Sequence, residues 1–313
     1  MFDHKKVRDF ISRSPQGTIF SCPEWLEAVA PGNWDYIIVE EKKEIRICMP
    51  IIMTKKYGFS ILSMPPLTQS LGILLPPEEG KYAEELSRNI NRMRDLLIQI
   101  PKCSYFKQRF HPSFKNWLPF YWHRYKQTTR YTYILQDLTD INSVWNGFRS
   151  NIRQEIRKAE KQILIEESDD FNALKFCINS TFQRQGKKEF DFKILDRIFQ
   201  TCNKLNCGKI FLAKNKSGDI CGAIYIIWDN KSSYYLCGGS PKQFRTTGSM
   251  SSLIWDAIKF SSKITKQFNF EGSMIKPIER FFRGFGARQV PYFEIYRSES
   301  VIIDLYKYLI VNK

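Results

Sequence analysis

The run Gly238-Gly239-Ser240-Pro241-Lys242-Gln243-Phe244-Arg245-Thr246-Thr247-Gly248-Ser249-Met250 combines small residues with a cation between a strand-like and a helix-like stretch. Such a turn aims backbone N–H groups and the positive end of a helix at an anion. Gly239, Arg245, Thr247, Gly248 and Ser249 are therefore candidate phosphate-binding residues. The competing reading is a plain Gly-rich strand-to-helix connection. The run contains neither G-x-x-x-x-G-K-[ST] nor G-x-G-x-x-G, which excludes those two nucleotide loops.

A second candidate is a basic stripe. Arg149, Arg153, Arg157 and Lys161 recur every four residues in a helix-like stretch. Arginine forks bind phosphate oxygens in pairs. The alternative is a solvated face paired in part with Glu155 and Glu160. A third candidate is Glu271 in Phe268-Asn269-Phe270-Glu271-Gly272-Ser273. A carboxylate at a strand end in a basic region suits a general base. It equally suits a turn cap or an ion pair with Arg280 or Arg283. The aromatic block 105–125 suits base stacking or, more simply, core packing.

Other chemistries are excluded. There is no G-x-S-x-G, and His4, His111 and His123 leave little scope for a His-activated nucleophile. The eight cysteines include no C-x-x-C pair, so no zinc site is expected and reduced, buried thiols are.

The elements that must position these residues follow from pattern. Residues 18–30 suggest a short helix capped by Ser21, with Pro23 in its first turn. Residues 36–39 and 45–52 form a hairpin around a charged turn, followed by a strand over 57–64 that Pro65 and Pro66 end. Residues 79–100 have helical composition. After a strand at 129–135, Val144, Phe148, Ile152, Ile156 and Ala159 give one buried stripe, predicting a helix over about 142–162. Helices follow at about 170–183 and 191–205, a hairpin at 209–228 and a strand at 233–238. Helix 247–262, strand 268–270, helix 278–285, strand 290–296 and a C-terminal helix at 301–311 complete the chain. The stretches 37–64 and 210–237 share one outline: strand, charged turn, strand, aromatic strand. Two similar mixed α/β units are expected, 1–125 and 126–313.

The chain has 48 Lys+Arg against 32 Asp+Glu, a formal net charge of +16. Residues 241–290 hold nine basic and three acidic side chains. That surplus suits a polyanionic partner or a Lys-rich solvated surface. Apolar runs are too short for a membrane-spanning helix, and the charged N-terminal MFDHKKVRDF is unlike a secretion signal. A soluble, cytoplasmic protein is expected.

Taken in order, these motifs resemble the GNAT acyltransferase superfamily. Arg245-Thr246-Thr247-Gly248-Ser249 is similar to its Q/R-x-x-G-x-G/A donor-phosphate loop. Ile278-Glu279-Arg280-Phe281-Phe282-Arg283-Gly284-Phe285-Gly286 is similar to its closing helix and turn. Stretches 65–73, 116–122, 128–133, 151–161 and 268–295 resemble FemAB-like proteins, which carry two GNAT-like units in tandem. The resemblance implies a mixed, mostly antiparallel sheet flanked by helices in each unit. It implies transfer of an aminoacyl or acyl group to an amine of a peptidoglycan or surface-polysaccharide precursor. The donor would be aminoacyl-tRNA or acyl-coenzyme A, acting as a substrate rather than a tightly bound cofactor. The amine would attack directly, with no covalent enzyme intermediate, and a lipid-linked acceptor would bring peripheral membrane contact. On this reading Arg149, Arg153 and Lys158 hold an acceptor or tRNA phosphate and Glu271 is the base. Two departures stand out. Phe281 and Phe282 occupy the helix where many GNAT enzymes place a proton-donating Tyr, and Met250 follows the small positions of the donor loop. Two other implied functions are an acyl-coenzyme A-dependent transferase on a nucleotide-linked amino sugar and a non-catalytic RNA-binding or scaffold protein.

Overall fold

The computed structural model describes residues 3–77, 79–186 and 190–300. The expected helix at 301–311 lies outside them. The described residues divide into two compact units, one of 3–130 together with 291–300, the other Tyr131–Val290.

The first unit opens with α1 (His4–Arg13), whose first turn is capped by the Asp3 carboxylate, and α2 (Pro23–Val29). Pro23 supplies the preset first-turn geometry, with Cys22 in the cap position instead of Ser21. Next come β1 (Trp34–Glu41), β2 (Glu44–Lys56), β3 (Phe59–Leu62), α3 (Tyr82–Leu97), β4 (Tyr105–Arg109) and α4 (Leu118–Trp122). Its sheet runs β1-β2-β3-β4 and ends on β11 (Arg288–Ser298), the last strand described. Only the β3–β4 pairing is parallel. Ile37, Met49, Leu62, Leu96, Phe106, Phe110 and Phe120 form its core. Most of the aromatic block is spent here: Phe110 meets Phe120 edge-on with centroids 5.1 Å apart, and Phe106 meets Tyr125 likewise at 5.1 Å.

Strand β5 (Lys126–Leu135) carries the chain into the second unit. There follow α5 (Ile141–Gly147), α6 (Ser150–Ala159), β6 (Ile163–Ser168), α7 (Phe171–Arg184), α8 (Lys193–Leu205), β7 (Gly208–Asn215), β8 (Ile220–Trp228), β9 (Ser232–Gly239), α9 (Ser249–Ser261), β10 (Gln267–Asn269) and α10 (Lys276–Arg283). The sheet order is β5-β10-β9-β8-β7-β6, with only β9–β10 parallel. Its core gathers Phe148, Ile152, Ile156, Ile224, Leu253, Trp255, Phe268 and Phe285.

The outline repeat is a repeat of topology. In each unit three antiparallel strands lead through a helix to a fourth strand parallel to the third: β1-β2-β3-α3-β4 and β7-β8-β9-α9-β10. The division of the chain differs from the expected 1–125 and 126–313 at the boundary, which follows Arg130, and at β11. Strand β11 returns to the first unit because Glu294–Ser298 pair antiparallel with Tyr105–Arg109 of β4.

A second difference concerns the basic stripe. The single helix expected over 142–162 is two, because Phe148 is extended at ψ 144° and Arg149 starts a new helix. The Arg149 N–H donates to the Gly284 carbonyl (2.9 Å), which pins the break. The buried stripe survives it: Val144, Phe148, Ile152, Ile156 and Ala159 are all in the core.

Candidate active site

The ladder between β9 and β10 ends at the Asn269–Tyr234 pair, while β9 runs on to Gly239. The two parallel strands therefore part, and the second half of β9 faces the segment after β10. In that half Tyr225 of β8 pairs with Cys237 but Ile226 pairs with Tyr235, leaving Leu236 as an extra residue in a bulge. Bulges re-aim side chains and leave backbone groups out of the ladder.

Glu271 stands at the opening. Its φ is +57°, in the left-handed region that costs a non-glycine residue about 1–3 kcal/mol. The buried Asn269 side chain maintains this turn: its Oδ1 accepts from the Glu271 N–H (2.8 Å) and from the Thr132 hydroxyl (2.7 Å). On β9 the Tyr235 hydroxyl lies against Gly238, where a β-carbon would come within 2.8 Å of it. Burial first, and the Glu271 charge second, push the Cys237 thiol up. Burial pushes the Tyr235 phenol up as well, with Cys237 adding to it. At neutral pH both hold their protons. A protonated thiol is a poor nucleophile, whereas a neutral phenol is able to donate a proton.

Helix α10 closes one side. Phe282 packs against Tyr235 with centroids 5.7 Å apart. The Tyr133 hydroxyl donates to Glu279 Oε1 (2.6 Å) and accepts from Gln289 Nε2 (2.6 Å), while Arg283 pairs with Glu279 at 2.9 Å. Burial and the Glu279 carboxylate raise the Tyr133 phenol. Phe281 and Phe282 offer no proton, but β9 and β5 bring phenols to the same region. Tyr235, Cys237, Tyr133 and Asn269 were not singled out from sequence. Their aromatic or strand-like context resembles ordinary core, and only the parting of β9 from β10 distinguishes them.

The five donor-phosphate candidates span the end of β9 to the first residue of α9. A β-carbon on Gly239 would sit 2.2 Å from the Cys177 carbonyl oxygen, so helix α7 packs directly on this glycine. The next residue is bound to the same helix, as Arg184 donates to the Ser240 carbonyl (2.9 Å). Gly248, at φ +81°, faces α6: a β-carbon there would sit 2.5 Å from the Glu155 carbonyl oxygen. Ser249 is buried and its hydroxyl donates to the Cys221 carbonyl (3.2 Å). Thr247 donates to the Phe244 carbonyl at 2.7 Å and accepts from the Ser249 N–H at 3.3 Å. Arg245 is exposed. Near the first turn of α9 the Ser251 hydroxyl donates to Glu155 Oε2 (2.7 Å).

The acceptor-phosphate candidates do not converge. Arg153 donates through Nη1 to the carbonyls of Asn146 (2.9 Å) and Phe148 (2.8 Å), capping the end of α5. Arg157 lies over the Trp145 ring at 5.8 Å. Arg149 precedes the first residue of α6 and Lys158 lies in its last turn, both exposed. At ~1.5 Å per residue that separates their backbones by ~14 Å. Among the described residues no group of three or more His, Cys, Asp or Glu side chains is arranged to hold a metal ion. No helix among them is long and apolar enough to cross a membrane.

No family model matches the sequence, and no curated protein does. Solved structures match its fold along nearly the whole length. FemX superposes with a TM-score of 0.73 at 13% identity, over 94% of this chain and 96% of its own. The C-terminal domain of an Agrobacterium fabrum protein assigned as a lysylphosphatidylglycerol synthetase gives 0.56 at 11%, over 94% and 91%. A tandem GNAT protein from the clavulanic acid biosynthesis pathway gives 0.53 at 7%, over 94% and 93%. The fold is thus that of tandem GNAT-like proteins, mixed α/β with mostly antiparallel sheets flanked by helices.

Proposed function

We propose that the chain is an N-acyltransferase that moves an aminoacyl or acyl group onto an amine of a cell-envelope precursor. The observation that carries this reading is the parting of β9 from β10, with Glu271 held at the opening in a strained turn. The likeness to FemX in fold supports an envelope acceptor. The acceptor amine gives a proton to Glu271 and attacks the donor's carbonyl carbon. An N–C bond forms, the carbonyl oxygen becomes an oxyanion facing the bulged backbone of β9, and the C–O or C–S bond to the carrier breaks. The Tyr235 phenol donates a proton to the leaving oxygen or sulfur. Backbone donors aimed at an oxyanion are among the larger contributions to such reactions, and positioning supplies much of the rest.

The first turn of α9 favours aminoacyl-tRNA over acyl-coenzyme A. The Glu155 carboxylate, bonded to the Ser251 hydroxyl of that turn, sets a negative charge close to where the coenzyme's diphosphate would bind. Arg149 and Lys158, exposed at opposite ends of α6, suit an extended phosphate backbone better than one phosphate group. With either donor the reaction belongs in the cytoplasm. The test offers the protein labelled aminoacyl-tRNA and labelled acetyl-coenzyme A with a mixture of amine-bearing envelope precursors. Label moving from the tRNA to an acceptor amine is the expected result. Transfer from coenzyme A alone would reassign the donor, and transfer from neither would sink the reading.

A further inference from the structure

We infer that α4 of the first unit is a membrane-contact element that docks the protein on a bilayer rich in anionic lipid. The helix has two faces. Pro119 and Phe120 are buried, Phe120 within the core between Phe110 and Tyr125. On the outer face Leu118, Tyr121 and Trp122 are 47%, 60% and 57% exposed. Trp117 packs edge-on against Tyr121 with centroids 5.6 Å apart, which braces that face from beneath. Three large apolar side chains are thus held outward on a rigid base in five consecutive residues.

Charge identifies the occupant. From residue 96 to residue 136 the sequence has no Asp or Glu, but seven Lys or Arg. Three of these, Lys115, Arg124 and Lys126, flank α4 and are exposed. Arg124 adopts φ +62° in the turn that leads from α4 into β5. Tryptophan and tyrosine favour the level of lipid headgroups, leucine favours the acyl boundary below, and flanking cations are drawn to anionic headgroups. A nucleic acid would use the aromatics and cations but gives Leu118 no role.

The inference stands apart from the transfer reaction. The full chain is mixed with vesicles of phosphatidylglycerol and phosphatidylcholine, or of phosphatidylcholine alone, and floated. Binding to the anionic vesicles that weakens with salt is expected, as is quenching of tryptophan emission by brominated lipid. Leu118→Ser combined with Tyr121→Ser and Trp122→Ser should lower the partition coefficient ~10-fold or more at an unchanged melting temperature. Quenching of the unmodified protein, compared with Trp122→Phe, keeps the test valid if the triple variant misfolds. Failure to float at low salt would overturn the inference, as would undiminished binding by a folded triple variant. A fluorescence response to tRNA with none to vesicles would assign the face to nucleic acid instead.

Discussion

The carbonyl oxygen of Glu155 stands where a side chain on residue 248 would begin, 2.5 Å from the position of a β-carbon. Gly248 is therefore a packing glycine between α6 and the start of α9. Gly248→Ala should cost at least ~2 kcal/mol, from the strained φ and a clash with backbone that has little freedom to move. Gly218 has a similar φ of +87° with nothing within 4 Å of its β-position. Gly218→Ala should show the conformational cost alone, ~1 kcal/mol. Urea unfolding of both variants is the check. Equal costs would mean that α6 yields easily and that Gly248 is not held for packing.

Arg153 and Lys158 should separate cleanly. Arg153 satisfies two carbonyls at the end of α5, so Arg153→Ala should destabilise the fold by about 1–2 kcal/mol. Lys158 is exposed, and Lys158→Ala should leave stability within ~0.5 kcal/mol. If tRNA is the donor, Lys158→Ala and Arg149→Ala should instead flatten the dependence of log binding constant on log salt, by about one contact each. An unchanged salt slope in both variants would remove α6 from the donor surface.

The fold was legible where turn chemistry and periodicity agree, as in the hairpins at 36–52 and 209–228 and helix 193–205 with left-handed Asn206 at its end. The break at Phe148 was hidden because that residue keeps its place on the apolar stripe whether the helix continues or restarts. The phosphate turn was ambiguous for a different reason. Glycine permits close approach equally to a ligand or to another helix, and residue types cannot say which partner arrives. Gly239 and Gly248 meet α7 and α6. Glu271 was legible as a carboxylate at a strand end. Its sequence neighbour Asn269 was legible only as part of the strand, and Thr132 and Cys237 were not, because β5 and β9 bring them there by pairing across the sheet.

Tyr235→Phe and Glu271→Gln test the chemistry with little change in shape. Each should lower kcat by ~10²–10⁴-fold while leaving the melting temperature nearly unchanged. Loss of the phenol should matter most for poor leaving groups, and loss of the carboxylate for protonated amines at low pH. Cys237→Ser should retain most activity, because burial keeps that thiol protonated and no covalent intermediate is needed. A dead Cys237→Ser with an active Glu271→Gln would turn the mechanism towards a thioester.

Alkaline pH should destabilise the fold through its buried thiols and phenols. Burial lifts the Cys177 thiol from an ordinary 9.0 to about 12, with Cys221 adding to it. Burial likewise lifts the Tyr125 phenol from 10.0 to about 12, opposed by Arg297, whose guanidinium lies 4.4 Å from the ring centroid. Above the ordinary values the unfolded chain releases these protons while the folded chain retains them. Stability is therefore complete below about pH 9 and is lost progressively towards about pH 12. The urea midpoint should fall steadily between roughly pH 9 and 11. Cys177→Ala should reduce that slope even though it lowers the midpoint itself, since the packing it removes does not titrate. A midpoint flat across this range would mean that these groups open to solvent without unfolding.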